Sequence, residues 1–369
     1  MKRPDLVVIH SPVGGGHKAA ALATADAATR RGLHVEVLNT FEHAAKIVGD
    51  TYLRAHLTGQ GAFPDAYGSA YFAANHRGGA FEPMRRGVDA ALFSNLVHHV
   101  CDLAPRAVIA THHLPLVVLG RARRYGWLKA PLFAVVTDYT AHACWVERGV
   151  DGFFAPCARA RHELILHGAL PTNIMLTGIP IRSEFHAIED LRAPKENETL
   201  RVLVTSGGFG VGPLAQIVKS FRGVKNVELT VVCGNANDTV REVKREAMKC
   251  GISARVLGFE KEMFKRVAEA HLVVGKAGGL TVTETMAAGR PMLIVGAVPG
   301  NEKLNEQFVV RAGAGLAPEA SRVGAHVDAI RNASILEEMG MHARGLVPRD
   351  SAERVVDAVI AATRSKIAA

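Results

Sequence analysis

No apolar run in the 369-residue sequence approaches the ~18 residues that a membrane-spanning helix needs, which excludes an integral membrane protein. The five cysteines lie far apart and no two have CxxC spacing, so neither a zinc site nor a disulfide framework is predicted, and a reducing cytoplasm is the expected compartment. Neither an internal repeat nor a low-complexity tract occurs. Hydrophobic residues make up 48% of the chain and charged residues 21%, which excludes global disorder and favours a folded protein of two domains.

Acidic residues are outnumbered along the whole chain. Residues 1–185 hold 19 basic against 14 acidic side chains, and the remainder holds 25 against 21, for a net charge of +9. Histidine is unevenly spread, since 13 of the 17 lie before residue 168. The basic balance favours anionic partners in general, among them nucleic acid, acidic lipid and nucleotide phosphates.

Short β-rich runs alternate with amphipathic stretches, which predicts βαβ units and parallel sheets. The amino-terminal run is interpreted as a strand and not as a signal peptide, because a glycine loop follows it at once. The predicted strands are Leu6–His10, His34–Leu38, Ala107–Ala110, Leu132–Val136, Arg201–Thr205, Val227–Cys233, Ala254–Leu257, Leu272–Val274 and Pro291–Val295. Helical patterns lie between them, such as His17–Arg31 and Phe81–Leu103.

The polar stretch 181–200, which contains Pro194, breaks this rhythm and is predicted to be an interdomain linker. It separates an α/β domain at 1–180 from a second at 201–345, and residues 346–369 are predicted to form a carboxy-terminal helix. Each domain opens with a strand and a glycine-rich turn. Ligands of open α/β sheets lie beyond the carboxyl ends of the strands, so the two turns are expected to face one shared cleft.

The first candidate motif is SPVGGGHKAA at Ser11–Ala20. A Walker A loop is excluded because the Gly-Lys-Ser/Thr ending is missing. A dinucleotide fingerprint fits loosely through Gly14, Gly16 and Ala19, but the next strand ends at Asn39 without an acidic residue for a ribose. A third interpretation is a loop that presents His17 at a helix start, and the simplest is a tight turn with an incidental histidine.

The second motif, TDYTAHACWVE, directly follows a buried-looking strand. Asp138 and His142 would stand at its carboxyl end, where catalytic groups collect. The alternative is a helix cap by Asp138 and a surface histidine. The third motif, TSGGFGVGP from Thr205, is either a second anion cradle or a plain flexible turn.

The fourth motif begins VGKAGGLTVTETMAAGRP at Val274 and continues to PGNEKLNEQF. Gly278 and Gly279 let the backbone approach phosphates closely, and a new helix start offers unpaired N–H groups. Glu284, one turn into this helix, would accept both hydroxyls of a ribose. The next helix start carries polar residues suited to sugar hydroxyls, namely Asn301, Glu302 and Asn305. Ordinary helix caps are the alternative for each piece.

These motifs together resemble a known family. The chain is similar to the monogalactosyldiacylglycerol synthase and processive diacylglycerol glucosyltransferase group of glycosyltransferase family 28, and more distantly to the lipid II-forming N-acetylglucosaminyltransferase. The similarity rests on SPVGGGHKAAA, VVTDYTAHACWV and KAGGLTVTETMAAGRPMLIVGAVPGNEKLNEQFVVRAGAG, and it covers most of the chain. The last motif, which resembles the group's donor-site signature almost end to end, is the most specific.

The resemblance implies a GT-B fold, in which two Rossmann-like domains face each other across a cleft and a carboxy-terminal helix often crosses back. It also implies an inverting, metal-independent transfer of a hexose from a UDP-sugar to a lipid hydroxyl such as that of diacylglycerol. The UDP-sugar is then a substrate, and no cofactor is expected. Residues 1–180 would bind the lipid acceptor, and residues 201–345 the UDP-sugar.

The resemblance also assigns residues to parts of the reaction. For the UDP-sugar these are Phe259 for uracil, Glu284 for the ribose, Ser206, Gly207, Gly278, Gly279 and Thr281 for the diphosphate, and Asn301, Glu302 and Asn305 for the hexose. On the acceptor side they are Gly15, Gly16 and His142. Apart from the resemblance, we hypothesise that His17 deprotonates or orients the acceptor, because a neutral imidazole suits proton transfer near neutrality, and that Asp138 is the rival base or an orienting partner.

Several alternatives stay open at this point. Many relatives have glutamine where this chain has Asn301, so the donor sugar could be glucose, galactose, a glucuronic acid or an amino sugar. A lipid II-type transferase and a UDP-sugar 2-epimerase are rival enzymes. A UDP-sugar sensor or a nucleic-acid binder is a non-catalytic rival, although the basic residues form no RRM or KH signature, which argues against nucleic acid as a partner.

Aromatic and basic residues of the first half predict peripheral contact with an anionic membrane, at the inner face of the cell membrane. One such cluster, RARRYGWLK, spans Arg121–Lys129. Another lies between residues 52 and 86 and comprises Tyr52, Arg54, Phe63, Tyr67, Tyr71, Phe72, Arg77, Phe81, Arg85 and Arg86. The alternative is a core-packed helical excursion with a solvated basic face.

Overall fold

The structure is a computed structural model that describes residues 3–44, 64–75, 87–89, 91–195, 197–207 and 212–367. These residues form two compact units. The first comprises the residues up to Arg182 together with those from Asp350 onward, and the second comprises Ser183–Arg349. As far as the described residues go, each unit is built on one six-stranded parallel sheet, which confirms the predicted α/β class.

In the described part of the chain, twelve strands form the two sheets, six in each. In chain order they are Leu6–His10 (β1), Val35–Asn39 (β2), Ala107–Ala110 (β3), Leu132–Val135 (β4), Gly152–Ala155 (β5), Ile174–Leu176 (β6), Leu200–Thr205 (β7), Val227–Val232 (β8), Ala254–Leu257 (β9), Leu272–Gly275 (β10), Met292–Ile294 (β11) and Gly315–Leu316 (β12). The first sheet has the order β2-β1-β3-β4-β5-β6 and the second β12-β11-β10-β7-β8-β9. Because every pairing is parallel, the carboxyl ends of each sheet's strands lie at one edge.

The described α-helices cover the faces of these sheets. In chain order they are Gly15–Arg30 (α1), Pro64–Ala73 (α2), Ser94–Leu103 (α3), His113–Arg124 (α4), Ala158–Leu166 (α5), Ser183–His186 (α6), Leu214–Ser220 (α7), Asn237–Cys250 (α8), Met263–Glu269 (α9), Gly279–Ala287 (α10), Asn301–Arg311 (α11), Val323–Ile330 (α12), Ala333–Leu346 (α13) and Ser351–Ile367 (α14). Short 3-10 helices occupy Thr40–His43, Ala143–Trp145, Pro171–Asn173 and Ala320–Arg322. No helix formed by the described residues has both the length and the apolar character needed to cross a bilayer.

The continuous apolar run of β1 follows from burial on both faces of the first sheet. Leu6 and Val8 pack into a cluster with residues of α1 and α14, whereas Val7 and Ile9 pack into the cluster on the opposite face. All of these side chains are at most 2% exposed. A strand between two helical layers therefore lacks the polar alternation of a half-exposed strand.

Helix α1 is rich in alanine on the face that meets α14. Ala21 and Ala25 belong to the same buried cluster as Val355 and Val356 of α14. At the rim of this contact, the guanidinium of Arg31 donates two hydrogen bonds to the carboxylate of Asp357, at 2.5 and 2.7 Å. Small side chains thus allow close packing, and α14 forms part of the first unit.

The stretch predicted as a linker is ordered into the second unit from Ser183 onward. The guanidinium of Arg344 on α13 contacts the carboxylate of Asp190 at 2.6 Å and donates to the carbonyl of Ala287 at 3.0 Å. The buried Arg290 donates to the carbonyl of Glu189 at 3.1 Å. Residues 188–190 are therefore fixed to the carboxyl end of α10.

The structure departs from the predicted elements in two ways. Strands β5, β6 and β12 were not predicted, and the predicted helix Phe81–Leu103 is seen as α3 at its carboxyl end. Most of the predicted aromatic and basic cluster of residues 52–86 lies outside the described residues. This holds for Tyr52, Arg54, Phe63, Arg77, Phe81, Arg85, Arg86 and the side chain of Tyr67.

Candidate functional site

The carboxyl ends of β1, β3 and β4 lie side by side, and the residues that follow them form what we call the first-sheet edge. His17 stands in the first turn of α1 and is half-buried. Its Nδ1 lies 2.8 Å from the carbonyl oxygen of Thr111 and 3.0 Å from Oγ1 of Thr137. The Thr111 hydroxyl donates to the His17 carbonyl at 2.8 Å. Two neighbouring strand ends therefore hold this histidine.

These partners decide which ring nitrogen of His17 carries the proton. A carbonyl oxygen only accepts hydrogen bonds, so Nδ1 must carry the hydrogen. In the neutral ring, Nε2 is then the unprotonated nitrogen. The ring of His112 packs edge-on against it, with the centroids 4.6 Å apart and the planes at 77°. The neutral form of His17 is thus the tautomer with its hydrogen on Nδ1.

The glycines before His17 leave the start of α1 open. Gly14 has φ +96°, a backbone conformation that residues other than glycine rarely adopt. A Cβ atom on Gly14 or Gly15 would meet nothing within 4 Å. Gly15 and Gly16 begin the helix, where backbone N–H groups have no intrahelical acceptor. Their assignment to the acceptor side stays a prediction.

Asp138 follows β4 directly, and its side chain is half-buried. The loop that carries it is clamped by Glu163 of α5, a residue outside the predicted site. The Glu163 carboxylate accepts from the Thr140 hydroxyl at 2.8 Å and from the Ala141 N–H at 2.6 Å. Arg159 pairs with the same carboxylate at 2.9 Å. Asp138 therefore stands on a fixed loop, next in sequence to the Thr137 that contacts His17.

His142 is buried, and both of its ring nitrogens have partners. Its Nδ1 accepts from the Cys144 N–H at 3.1 Å, so Nε2 donates to the Tyr71 carbonyl of α2 at 2.9 Å. The neighbouring Ala143 N–H donates to Oδ1 of Asn75 at 2.7 Å. The first role of His142 is thus to attach α2 to the loop after β4, and its predicted contact with the acceptor stays a prediction.

Burial also shapes the protonation of this edge. His10 ends β1 and is 5% exposed. Burial, and next the positive charge of Lys18, lower the pKa of His10 below its usual 6.5. The ring is therefore neutral at pH 7. Among the described residues, no group of three or more His, Cys, Asp and Glu side chains is placed to hold a metal ion.

The carboxyl ends of β7, β10 and β11 are neighbours in the second sheet, and the residues after them form the second-sheet edge. Ser206, at the end of β7, is 7% exposed, and its Oγ has no hydrogen-bond partner among the described residues. A buried hydroxyl without a partner costs about 1–3 kcal/mol. Gly207 follows with φ +73°, and the loop 208–211 lies outside the described residues.

Helix α10 starts at the same edge, with Gly278 as its cap and Gly279 as its first residue. Strands β7 and β10 run close together here, since a Cβ on Gly275 would lie 2.9 Å from the Thr205 carbonyl oxygen. Thr281 and Glu284 are half-buried and stand three residues apart, so they share one face of the helix. Gly278, Gly279 and Thr281, predicted for the diphosphate, and Glu284, predicted for the ribose, thus belong to one helix start, whereas Ser206 and Gly207 follow β7.

Helix α11 begins with Asn301 after the turn that follows β11. Asn305 is fully buried and its amide donates to the Ala277 carbonyl at 2.9 Å, which ties α11 to the turn before α10. Glu302 accepts from the Val298 N–H at 2.9 Å, and its other carboxylate oxygen lies 3.2 Å from Nζ of Lys276. The Asn305 amide thus links two helix starts, and the predicted contacts of Asn301, Glu302 and Asn305 with the hexose stay predictions.

Phe259 follows the edge strand β9 and is 57% exposed. Strand β8 separates β9 from β7, so Phe259 lies farther along this edge than Ser206 does. Between them lies the turn at the end of β8, which is not among the predicted motifs. It contains Gly234 with φ +63°, and the sequence signal for it is the Cys-Gly-Asn that ends a predicted strand.

Comparison with known proteins links both edges to characterised families. Residues 17–181 match the family model for monogalactosyldiacylglycerol (MGDG) synthase, and residues 201–328 match that for the glycosyltransferase family 28 C-terminal domain. A "Processive diacylglycerol beta-glucosyltransferase" of Bacillus subtilis is 24% identical over 319 residues, which is 84% of this chain and 82% of that protein.

Two further proteins extend this likeness. The "Probable monogalactosyldiacylglycerol synthase 2, chloroplastic" of Oryza sativa is 27% identical over 350 residues, covering 85% of this chain and 70% of the relative. The crystal structure of MurG from Acinetobacter baumannii has a TM-score of 0.66 at 16% identity and covers 96% of this chain and 99% of its own. At that identity the superposition shows the fold alone.

Proposed function

Because the chain belongs to glycosyltransferase family 28, in its monogalactosyldiacylglycerol synthase group, and has the GT-B fold, we propose that it transfers a hexose from a UDP-sugar to a lipid hydroxyl such as that of diacylglycerol. The transfer inverts the anomeric carbon and needs no metal ion. The names of the Bacillus and rice relatives support the lipid acceptor. The residues of the two sheet edges support the chemistry.

The observation that carries the proposal is the orientation of His17. In the reaction, the acceptor oxygen bonds to the anomeric carbon while the bond from that carbon to UDP breaks, and the hydroxyl proton passes to Nε2. The hydrogen bond from Nδ1 to the Thr111 carbonyl keeps Nε2 in its accepting form. Asp138 is the rival base, or a partner that orients the acceptor.

The departing diphosphate would be stabilised at the second-sheet edge. The Ser206 hydroxyl, the Gly207 N–H and the amino-terminal N–H groups of α10 after Gly278 and Gly279 are suited to its oxygens. Backbone donors of this kind are preorganised and carry partial positive charge. The proposal therefore has no metal step, and activity in excess EDTA is expected.

The remaining donor residues keep the roles that the family resemblance assigns. Glu284 would accept the ribose hydroxyls, Thr281 would assist at the diphosphate, and the backbone near Phe259 would meet uracil. Asn301 and Glu302 would read the hexose. Their amide and carboxylate groups fit a neutral hexose such as glucose or galactose through hydroxyl hydrogen bonds.

Peripheral attachment to the anionic inner face of the cell membrane completes the proposal. Tyr125 and Trp127 are 58% and 61% exposed and stack at 5.3 Å. The guanidinium of Arg121 lies 5.6 Å from the Tyr125 ring centroid. Exposed aromatic rings beside basic residues suit a headgroup layer. Phe72 on α2, which is 48% exposed, offers a second apolar contact.

A donor-by-acceptor screen tests this function. Purified protein is incubated with each UDP-hexose and with diacylglycerol or lipid extract, and UDP release and glycolipid are measured with and without EDTA. We expect release that depends on diacylglycerol, and His17→Ala is expected to lower kcat by about 10²–10⁴-fold while the protein stays folded. Epimer formed from UDP-N-acetylglucosamine alone, or transfer only to a lipid II precursor, would contradict the proposal.

A further inference from the structure

We infer that Lys276 is a positioning residue for donor recognition: it holds the Glu302 carboxylate in place to read the hexose, and it does not bind the diphosphate. This inference rests on the proposed function. Lys276 follows β10 and Glu302 is the second residue of α11, so the pair joins two separate elements of the second-sheet edge.

The geometry fixes the Glu302 carboxylate from two sides. Nζ of Lys276 lies 3.2 Å from Oε1, and the Val298 N–H donates to Oε2 at 2.9 Å. The Lys276 and Glu302 side chains are only 21% and 17% exposed, so water competes weakly for either charge. A carboxylate with one donor on each oxygen is held in one orientation.

This arrangement leaves acceptor capacity for a sugar. Each carboxylate oxygen has two lone pairs, so Glu302 retains one further acceptor site on each oxygen after its two partners are counted. Hydroxyl groups of a hexose are the matching donors, and hydrogen bonds to a charged acceptor are the stronger kind. Without the lysine, the half-buried carboxylate would lose its counter-charge and its orientation.

A lysine beside a glycine-rich helix start has an obvious alternative role as a phosphate ligand. The two roles differ in one measurable respect, because UDP contains the diphosphate but lacks the hexose. A residue that orients Glu302 affects binding of the UDP-sugar and leaves binding of UDP unchanged. A phosphate ligand affects both alike.

The test compares Lys276→Met with the parent enzyme in KM for the UDP-sugar and in Ki for UDP as an inhibitor. We expect KM to rise about tenfold while Ki for UDP changes less than about twofold. Lys276→Arg keeps the charge, and its KM for the UDP-sugar is expected to stay close to the parental value. A parallel rise of KM and Ki for UDP, or an unchanged KM, would overturn the inference.

Coupling between the two residues gives a second readout. If Lys276 acts through Glu302, the Lys276→Met and Glu302→Gln substitutions are non-additive, and the double variant is no worse than Glu302→Gln alone. Additive losses would contradict the inference. Lys303→Met is the matched control, because Lys303 lies next to Glu302 on α11 but pairs with Glu306; its KM is expected to stay parental.

Failure of the inference and failure of the proposed function are distinguishable. A parent protein that neither binds UDP in calorimetry nor releases it with any acceptor would contradict the function itself. A parent that is active, with a Lys276→Met variant that loses affinity for UDP, would contradict only the role given to the lysine.

Discussion

Among single residues, His271 carries the clearest protonation signal. It is 7% exposed, and its Nδ1 accepts the Arg201 N–H at 2.9 Å. The Arg201 guanidinium lies 3.3 Å from Nε2. Burial, and next the charges of Arg201 and Arg290, lower the pKa of His271 from 6.5 to about 4. The folded protein therefore keeps this ring neutral at pH values where the unfolded chain protonates it.

This difference predicts acid sensitivity of the second unit. Because the folded-state pKa lies below the unfolded value, the stabilisation is complete above about pH 6.5 and is lost as the pH falls towards 4. The loss amounts to about 3 kcal/mol in the free energy of unfolding. His271→Asn keeps an acceptor for the Arg201 N–H but does not titrate, so it should remove most of this loss.

The measurement is urea unfolding of parent and variant at pH 7 and pH 4.5. Burial also lowers the pKa values of His10 and His43. The free energy of unfolding of the variant should therefore still fall between pH 7 and pH 4.5, but by less than that of the parent. Equal acid-induced losses in the two proteins would show that His271 is not the group responsible.

At the level of elements, the clamp from α5 to the loop after β4 links stability to the first-sheet edge. Glu163 accepts from Thr140 and Ala141 and pairs with Arg159. In Glu163→Gln the hydrogen bonds from Thr140 and Ala141, which both go to Oε2, would be accepted by a neutral amide oxygen, and the new NH2 group would face the Arg159 guanidinium. We expect a free energy of unfolding lower by about 1–3 kcal/mol and a kcat lower by about tenfold, with Ki for UDP unchanged.

Arg159→Gln is the matched control for this clamp. It removes the ion pair from the same carboxylate but leaves both bonds to the loop, and such i,i+4 pairs contribute only about 0.3–0.5 kcal/mol. Thermal unfolding and steady-state kinetics of the two variants measure the difference. Similar kcat values for Glu163→Gln and the parent would show that the Glu163 contacts do not affect turnover.

The elements also show what the sequence could predict about the fold. Strands such as Leu6–His10 and Leu272–Gly275 were recognisable because they are apolar on both faces and end at glycine turns. Strands β6 and β12 have only three and two residues, too few for a periodic pattern. Their pairing depends on the neighbouring strands and not on local sequence.

The candidate site divides in the same way. His17, Gly278 and Asn301 were predictable because a strand, a turn and a helix start are contiguous in sequence. The Glu163 clamp and the Lys276–Glu302 pair were not, because each joins side chains on different elements.

For the whole molecule, the exposed aromatic cluster predicts how the protein distributes between water and membranes. A Tyr125→Ser/Trp127→Ser double variant should bind anionic vesicles more weakly than the parent, because two apolar rings no longer enter the headgroup layer. Parental binding should weaken with salt, since each basic residue near the surface contributes about 1 kcal/mol at low ionic strength.

Co-sedimentation with neutral and anionic vesicles over a salt series measures this. Met248→Ser is the control, because Met248 is 84% exposed but lies on α8 of the other unit. Equal sedimentation of the parent with neutral and anionic vesicles at every salt level would argue against membrane attachment through charge.

The packing of α14 on α1 has a practical consequence for dissecting the protein. The first unit is assembled from two separate stretches of chain, whereas the second is one uninterrupted segment, Ser183–Arg349. A fragment that ends at residue 182 would therefore lack the last helix of the first unit, and the alanine face of α1 would be exposed to solvent. Joining Ser351–Ile367 to that fragment through a short flexible connector should restore its solubility, and the middle segment is the natural piece to express alone.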